Sequence, residues 1–271
     1  MAIWNDYNWD FWNPNKEPMP LKAKKHRKIS FCTTCMDRAY DLKVTLPKNI
    51  EDNIDYPKVE FVILNYNSKD DLDDWIKKEM MKYIDAGILN YYKTTEPKFY
   101  SMSHSRNVAF KVAQGDMVNN IDADNYTCAH FAFALNRLAE LCPKKAVFAK
   151  GKRMMHGRIG MYKDEFMAIQ GYSEDLEGYG EDDKNLLYRA MALGYKMMWW
   201  EGGAGHFMER IKTPRKVVGN NMENKNWKQT EKINKKITQE QLKKKEFVAN
   251  QSRPHWGKAH LVKNFSEEID I

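Results

Sequence analysis

The residues with the clearest chemical potential are Asp122 and Asp124, separated by Ala123 in the run Asn119-Asn120-Ile121-Asp122-Ala123-Asp124-Asn125. An apolar stretch precedes them. A strand ending in Asp-Ala-Asp turns both carboxylates to the same side. They then face the crevice at the strand's carboxyl end, where open α/β sheets bind ligands. Paired carboxylates with room for water suit a hard divalent ion such as manganese or magnesium, which commonly bridges to phosphates. A second acidic run, Gly178-Tyr179-Gly180-Glu181-Asp182-Asp183, leads into an amphipathic stretch and puts carboxylates in a helix's first turn. A third feature is the glycine-rich Glu201–His206 segment, which ends in a single histidine.

The elements that must position these groups alternate regularly. Strands are expected at Lys28–Thr33, Tyr56–Leu64, Ile88–Lys93 and Met117–Ile121, with helices at about 37–47, 70–83 and 103–113 between them. Further helices are expected at Cys128–Leu141, Lys163–Ile169 and about 183–193. Further strands are expected at Ala146–Ala149, near Gly157–Tyr162, and at Lys196–Trp200. Strands alternating with helices imply a mostly parallel, doubly wound sheet. The acidic cluster Asp70, Asp71, Asp73 and Asp74 falls in the first turns of its helix and reads as structural. Thr238-Gln-Glu-Gln241 resembles a capping box, placing a tail helix at about 239–249.

Composition narrows the class. In 271 residues the hydrophobic fraction is 42%, with 8 Trp and 14 Tyr, enough for a sizeable core. No apolar run approaches the roughly 18 residues of a membrane span, and the aromatic start, with Trp4, Trp9 and Trp12, has no signal-peptide character. Cys32 and Cys35 have half-site spacing but no second pair completes a zinc site. The four cysteines read as reduced structural thiols of a cytoplasmic protein. The net charge of +7 is uneven: residues 210–263 hold 15 Lys and Arg against 4 Glu, and the remainder 29 basic against 33 acidic residues. That basic segment is either a solvated tail or a surface for an anionic acceptor, a membrane or nucleic acid.

Taken together, Asp122-Ala-Asp124, the Gly178–Asp183 motif and Gly205-His206, with Ser105-Arg106-Asn107 upstream, resemble the GT-A fold glycosyltransferases of family-two type. The C-terminal half is closer to the β-1,4-galactosyltransferase module. The resemblance covers roughly residues 28–210. It implies an α/β, Rossmann-like domain, its mostly parallel central sheet flanked by helices. An aromatic arm at 1–27 precedes the domain, and a basic, partly helical extension at 211–271 follows it.

By the same resemblance, Asp122 contacts the nucleotide's ribose or base side, while Asp124 and His206 bind manganese or magnesium. Asp182 is the base of an inverting transfer, and Glu181 contacts acceptor or donor hydroxyls. Thr33, Thr34 and Arg38 are candidates for base and diphosphate contacts, with Arg106, Tyr100 and Lys98 behind them. Where the family has an Asp pair, this chain has Asn65-Tyr66-Asn67; the Asn65 carbonyl can still accept from uracil, so UDP is the expected nucleotide. Trp199 and Trp200 could stack on a sugar or base, or pack in the core. The expected reaction moves a sugar from a UDP-sugar to a hydroxyl of a glycan. The alternatives are transfer to hydroxymethylated bases in DNA, and a non-catalytic basic nucleic-acid-binding protein on an inactive GT-A shell.

Overall fold

The computed structural model describes residues 24–150, 157–200, 209–211 and 221–271, with only the backbone of Lys150, Trp199, Trp200 and Glu209. Residues 1–23 of the aromatic arm, with Trp4, Trp9 and Trp12, lie outside these residues, as do His206, its flanking glycines and the side chains of Trp199 and Trp200.

The first half is built as the alternation requires. It runs β1 (Ile29–Cys35), α1 (Ala39–Glu51), β2 (Val59–Tyr66), α2 (Leu72–Trp75), a π-helical turn at Ile76–Met80, α3 (Met81–Asp85), β3 (Leu89–Thr94), α4 (Met102–Val112) and β4 (Met117–Asn120). The second half runs β5 (Asn125–Tyr126), α5 (Phe131–Leu141), β6 (Ala146–Lys150), β7 (Gly160–Tyr162), α6 (Lys163–Ala168), α7 (Asp182–Ala192), β8 (Lys196–Trp200), β9 (Glu209–Arg210), α8 (Trp227–Lys243), β10 (His260–Lys263) and β11 (Glu267–Asp270).

Nine strands form one sheet in the order β11-β10-β3-β2-β1-β4-β7-β6-β8. The run β3-β2-β1-β4 is parallel. β7 pairs antiparallel with β4, and β10 antiparallel with β3. Buried Phe31, Leu46, Ile63, Phe131 and Phe148 pack on one face of the sheet. Val62, Leu64, Val108, Phe110, Phe166 and Leu186 pack on the other. Because the chain leaves β1 for β2 on one side while β4 pairs on the other, the ends of β1 and β4 form the sheet's switch point, where a crevice opens.

Two local expectations meet a physical correction, and one sheet edge was not foreseen. The tail helix is Trp227–Lys243, not 239–249, and Asn226 caps it by accepting from the Gln229 N–H. Thr238 and Gln241 do not start a helix; they are buried in its interior and bond Asn185 and Ser173. Their polar side chains answer tertiary partners rather than a free helix end. The expected 70–83 helix is interrupted by its π-helical turn. Finally, β10 and β11, which carry no strong apolar alternation, close the sheet's edge beside β3.

The acidic cluster has structural partners. Asp70 accepts from the Ala39 N–H at the start of α1, and Asp73 holds Lys93, Tyr91 and Asn65. Cys32 and Cys35 point to opposite faces of β1, so they cannot share a ligand. Burial pushes the Cys35 thiol up to about 12 and Cys32 in the same direction, which leaves both unreactive.

Candidate active site

A cleft of about 200 Å³ lies at the switch point. Asp122 and Asp124 follow β4, which runs beside β1 in register Cys32 with Asn120. Thr34, near the end of β1, turns into the cleft, and Arg38 follows at the head of α1. Strand alternation explains why Thr33 does not join them: it is buried on the other side of β1, 5% exposed. Thr34 bonds the Tyr100 hydroxyl at 2.6 Å, and Tyr100 forms another wall.

Four arginines converge on the cleft: Arg38, Arg106, Arg158 and Arg210. Asp122 accepts from Arg106 at 3.3 Å and from Asn120 at 2.9 Å, and pairs with Arg158 at 3.1 Å. Asp124 accepts from Arg210 at 2.9 Å and lies 3.6 Å from Arg38, which also holds Asp41. The two carboxylates therefore differ. Burial works against ionisation of Asp122, yet Arg158 and Arg106 hold its carboxyl down to about 2. Burial and the neighbouring Asp122 charge raise Asp124, against the pull of Arg210 and Arg38. Four guanidinium groups line the cleft, and any that leave their carboxylates can meet phosphate oxygens of a ligand.

Arg106 joins the two acidic motifs. Its side chain is 4% exposed, lies over the Tyr172 ring at 5.5 Å, and pairs with Asp122 and with Asp182. Asp182 opens α7, where the helix dipole favours its charge. Burial nevertheless dominates and pushes its carboxyl up to about 6, Arg106 opposing and Asp183 adding. Glu181 sits before it in the left-handed region, φ 70, with its carboxylate on Lys184 at 3.0 Å.

The loop carrying this motif is held from outside by α8. Thr230, Asn234, Thr238 and Gln241 form a buried polar stripe at helical spacing. The Asn234 amide donates to the Glu177 carbonyl at 2.8 Å and to the Gly180 carbonyl at 2.9 Å, and its oxygen accepts from the Glu177 N–H at 3.3 Å. The Thr230 hydroxyl donates to the Tyr179 carbonyl and accepts from its N–H. Gly178 and Gly180 have φ of +67° and +95°, and a Cβ on Gly178 would stand 2.8 Å from the Thr230 methyl carbon. These two positions need glycine both for conformation and for the close approach of α8.

The structure brings Thr34, Arg38, Arg106, Asp122 and Asp124 into one cleft, with Asp182 behind Arg106. It does not bring Asn65, which is 1% exposed: its amide donates to Asp73 and Tyr91, and its carbonyl accepts from Ser68. A uracil contact by Asn65 is therefore corrected: the strand turns it toward the acidic cluster. Thr33 and Glu181 also stay outside the lining, and Lys98 is exposed beside Phe99. Sequence reading missed Arg158 and Arg210. Both lie in short strands or loops whose pairing is long-range, β9 with β5 in the case of Arg210. Neither arginine stands beside a partner in sequence, so neither carries a local signal.

For a divalent cation, the hard oxygens of Asp122 and Asp124 are the right kind of donor. Among the described residues no group of three His, Cys, Asp or Glu could hold a metal. The pair thus fits a cation completed by donors from elsewhere, such as ligand oxygens.

A nine-stranded, mostly parallel α/β sheet with paired carboxylates at its switch point defines the class as a GT-A fold. Residues 42–147 match the glycosyltransferase-like family 2 model, and residues 141–213 match the family described as the N-terminal domain of galactosyltransferase. Together the two matches run across residues 42–213. No curated protein sequence matches the chain.

Similar solved structures include the mannosyltransferase PcManGT from Pyrobaculum calidifontis in complex with GDP-Man and Mn2+. It has TM-score 0.57 and 21% identity, covering 72% of this chain and 58% of that one. S. aureus TarS 1–349 in complex with UDP-GlcNAc has TM-score 0.56 and 16% identity, covering 69% and 59%. GalNAc-T7 with UDP, GalNAc and Mn2+ has TM-score 0.55 and 11% identity, covering 66% and 43%. The chain thus spans less than two thirds of the length of each. Among the described residues no helix is long and apolar enough to cross a membrane.

Proposed function

We propose that this chain is a metal-dependent, inverting glycosyltransferase that moves a sugar from a UDP-sugar to a hydroxyl of a glycan. The observation that carries the reading is the cleft in which Asp122 and Asp124 meet four arginines at the sheet's switch point. Three solved neighbours bear nucleotides or nucleotide-sugars in their descriptions, two of them with Mn2+, which supports the donor class. In this reading Arg38, Arg158 and Arg210 release their carboxylates in part to meet the diphosphate, and Asp122 faces the ribose. Thr34 and Tyr100 line the nucleotide's path. Asp124 holds manganese or magnesium, with His206, outside the described residues, as a further ligand.

A bound divalent cation would neutralise charge growing on the departing diphosphate. The remaining chemistry belongs to the chain. Asp182 takes the proton from the acceptor hydroxyl as its oxygen attacks the anomeric carbon from the face opposite the diphosphate. One displacement of this kind inverts the centre. Arg106, tied to both Asp122 and Asp182, keeps donor and base in register. Buried, reduced thiols at Cys32 and Cys35 suit a reducing, cytoplasmic setting.

Calorimetric titration of UDP with and without manganese tests the proposal. Affinity should rise markedly with the metal, and Asp124→Ala should abolish that gain. Equal affinity in both conditions removes the metal-dependent reading; an Asp124→Ala variant that behaves as wild type removes the ligand assignment.

A further inference from the structure

A second cleft, about 510 Å³, opens between Phe99–Ser101, the Asp175–Gly178 segment and one side of α8. Tyr100 lines both this cleft and the one holding Asp122 and Asp124, so the two spaces share a wall. Gly178 lines the second cleft while its neighbour Tyr179 lines the first. A molecule seated here lies against the segment that leads into Asp182.

The chemistry of the lining is selective. Among the described residues its charged side chains are Asp175, Glu177 and Glu223, with no Lys or Arg in the lining. Asp175 is paired with Arg253 at 2.9 Å; Glu177 and Glu223 are exposed, with no ion-pair partner among the described residues. Beside them stand two exposed apolar groups, Phe99 at 37% and Ile233 at 49%. Lys98 rests 5.2 Å from the Phe99 ring centroid but outside the lining. The lysines of α8 do not compensate. Helical spacing puts exposed Lys232, Lys235 and Lys236 on the face opposite the Thr230, Asn234 and Gln241 stripe.

Carboxylates accept hydrogen bonds and donate none, so they select ligands rich in hydroxyl donors. An exposed aromatic ring and an aliphatic side chain suit the C–H faces of a sugar ring, as apolar walls with a few placed polar groups suit small ligands generally. The same carboxylates repel phosphate and sulfate. We infer that this cleft is the acceptor subsite, and that it takes a neutral, polyhydroxylated oligosaccharide rather than a polyanion such as DNA. The inference rests on the glycosyltransferase reading for its role, and the basic tail then serves a surface other than the acceptor's.

The test is retention on an array of neutral, sulfated and uronic-acid oligosaccharides, with saturating UDP and manganese, beside a fluorescence titration of duplex DNA. Wild type should retain neutral oligosaccharides. Phe99→Ala and Glu177→Lys should each weaken that retention at least tenfold, with UDP affinity and melting temperature within error of wild type. Glu223→Lys gives a second charge reversal should Glu177→Lys fold poorly. Retention of anionic oligosaccharides alone, strengthened by Glu177→Lys, would overturn the inference. So would neutral retention that neither Phe99→Ala nor either charge reversal changes, or no neutral retention at all. Failure of wild type to bind UDP speaks instead against the donor reading, since the array reports on the cleft independently.

Discussion

Replacing Asn234 with Ala should lower turnover without touching any group in the cleft of Asp122 and Asp124. Asn234 is 2% exposed and makes three hydrogen bonds to the backbone of Glu177 and Gly180. At about 1 kcal/mol net each, these supply roughly 3 kcal/mol holding the loop. Against them stands Glu181, whose left-handed conformation at φ 70 costs a non-glycine residue on the order of 1–2 kcal/mol. The margin is thus about 1–2 kcal/mol, a ratio of roughly ten to one in favour of the observed loop. Removing the amide reverses the sign, leaving the observed loop a minority of roughly one in ten. The expected result is kcat reduced roughly tenfold with little change in UDP affinity, because population of a competent state scales the observed rate. The melting temperature should fall only a few degrees, since local release limits the global loss. The assay is UDP release from the identified donor and acceptor, with calorimetry and thermal melts alongside, and exposed Lys235→Ala as control. A kcat within twofold of wild type, or a loss fully explained by unfolded protein, refutes the reasoning.

Asp182→Asn should leave UDP affinity near normal and reduce turnover on the order of 10²-fold or more, within what positioned general bases contribute. With the wild-type carboxyl raised to about 6, kcat/KM should climb as pH passes that value, and the variant should lose this limb. Stability carries the opposite sign: a raised carboxyl contributes fully below its ordinary range, and the contribution is lost as pH rises through about 6, a trend the Asn variant should flatten in thermal melts. Arg106→Ala leaves two carboxylates short of a buried partner and should cost about 3–5 kcal/mol in denaturant unfolding. Gly178→Ala, which needs both φ +67° and space 2.8 Å from Thr230, should cost at least about 1 kcal/mol, and a Thr230→Ser variant, lacking that methyl, should recover part of it.

The parallel half of the sheet and Asp122 with Asp124 were legible because they rest on local pattern. Apolar runs alternate with helical spacing, and a strand's end delivers its last side chains without help from the rest of the chain. The partners of those carboxylates were not legible. Arg158 reaches Asp122 from the segment before β7, and Arg210 reaches Asp124 from a two-residue strand; neither position differs locally from a surface arginine. Asn65 misled for the converse reason. Its place at the end of β2 is the expected one, but Asp73, eight residues on, draws its amide away from the cleft. Thr33 and Thr34 were named together, and the pleat admits only the second. In α8 Thr238 and Gln241 match a capping box by local pattern, but they belong to a buried polar stripe whose partners lie over 50 residues away.

That stripe also bears on the order in which the molecule can become competent. The hydrogen bonds that shape the Glu177–Gly180 turn come from residues 51 to 57 positions later in the chain. During synthesis β1 to β4 can pair, and the core on both sheet faces can begin to form, well before α8 emerges. A nascent chain halted between α7 and α8 would own its paired carboxylates yet lack the geometry at Asp182. Such a chain can collapse around an apolar core while the turn before Asp182 still lacks the helix that shapes it.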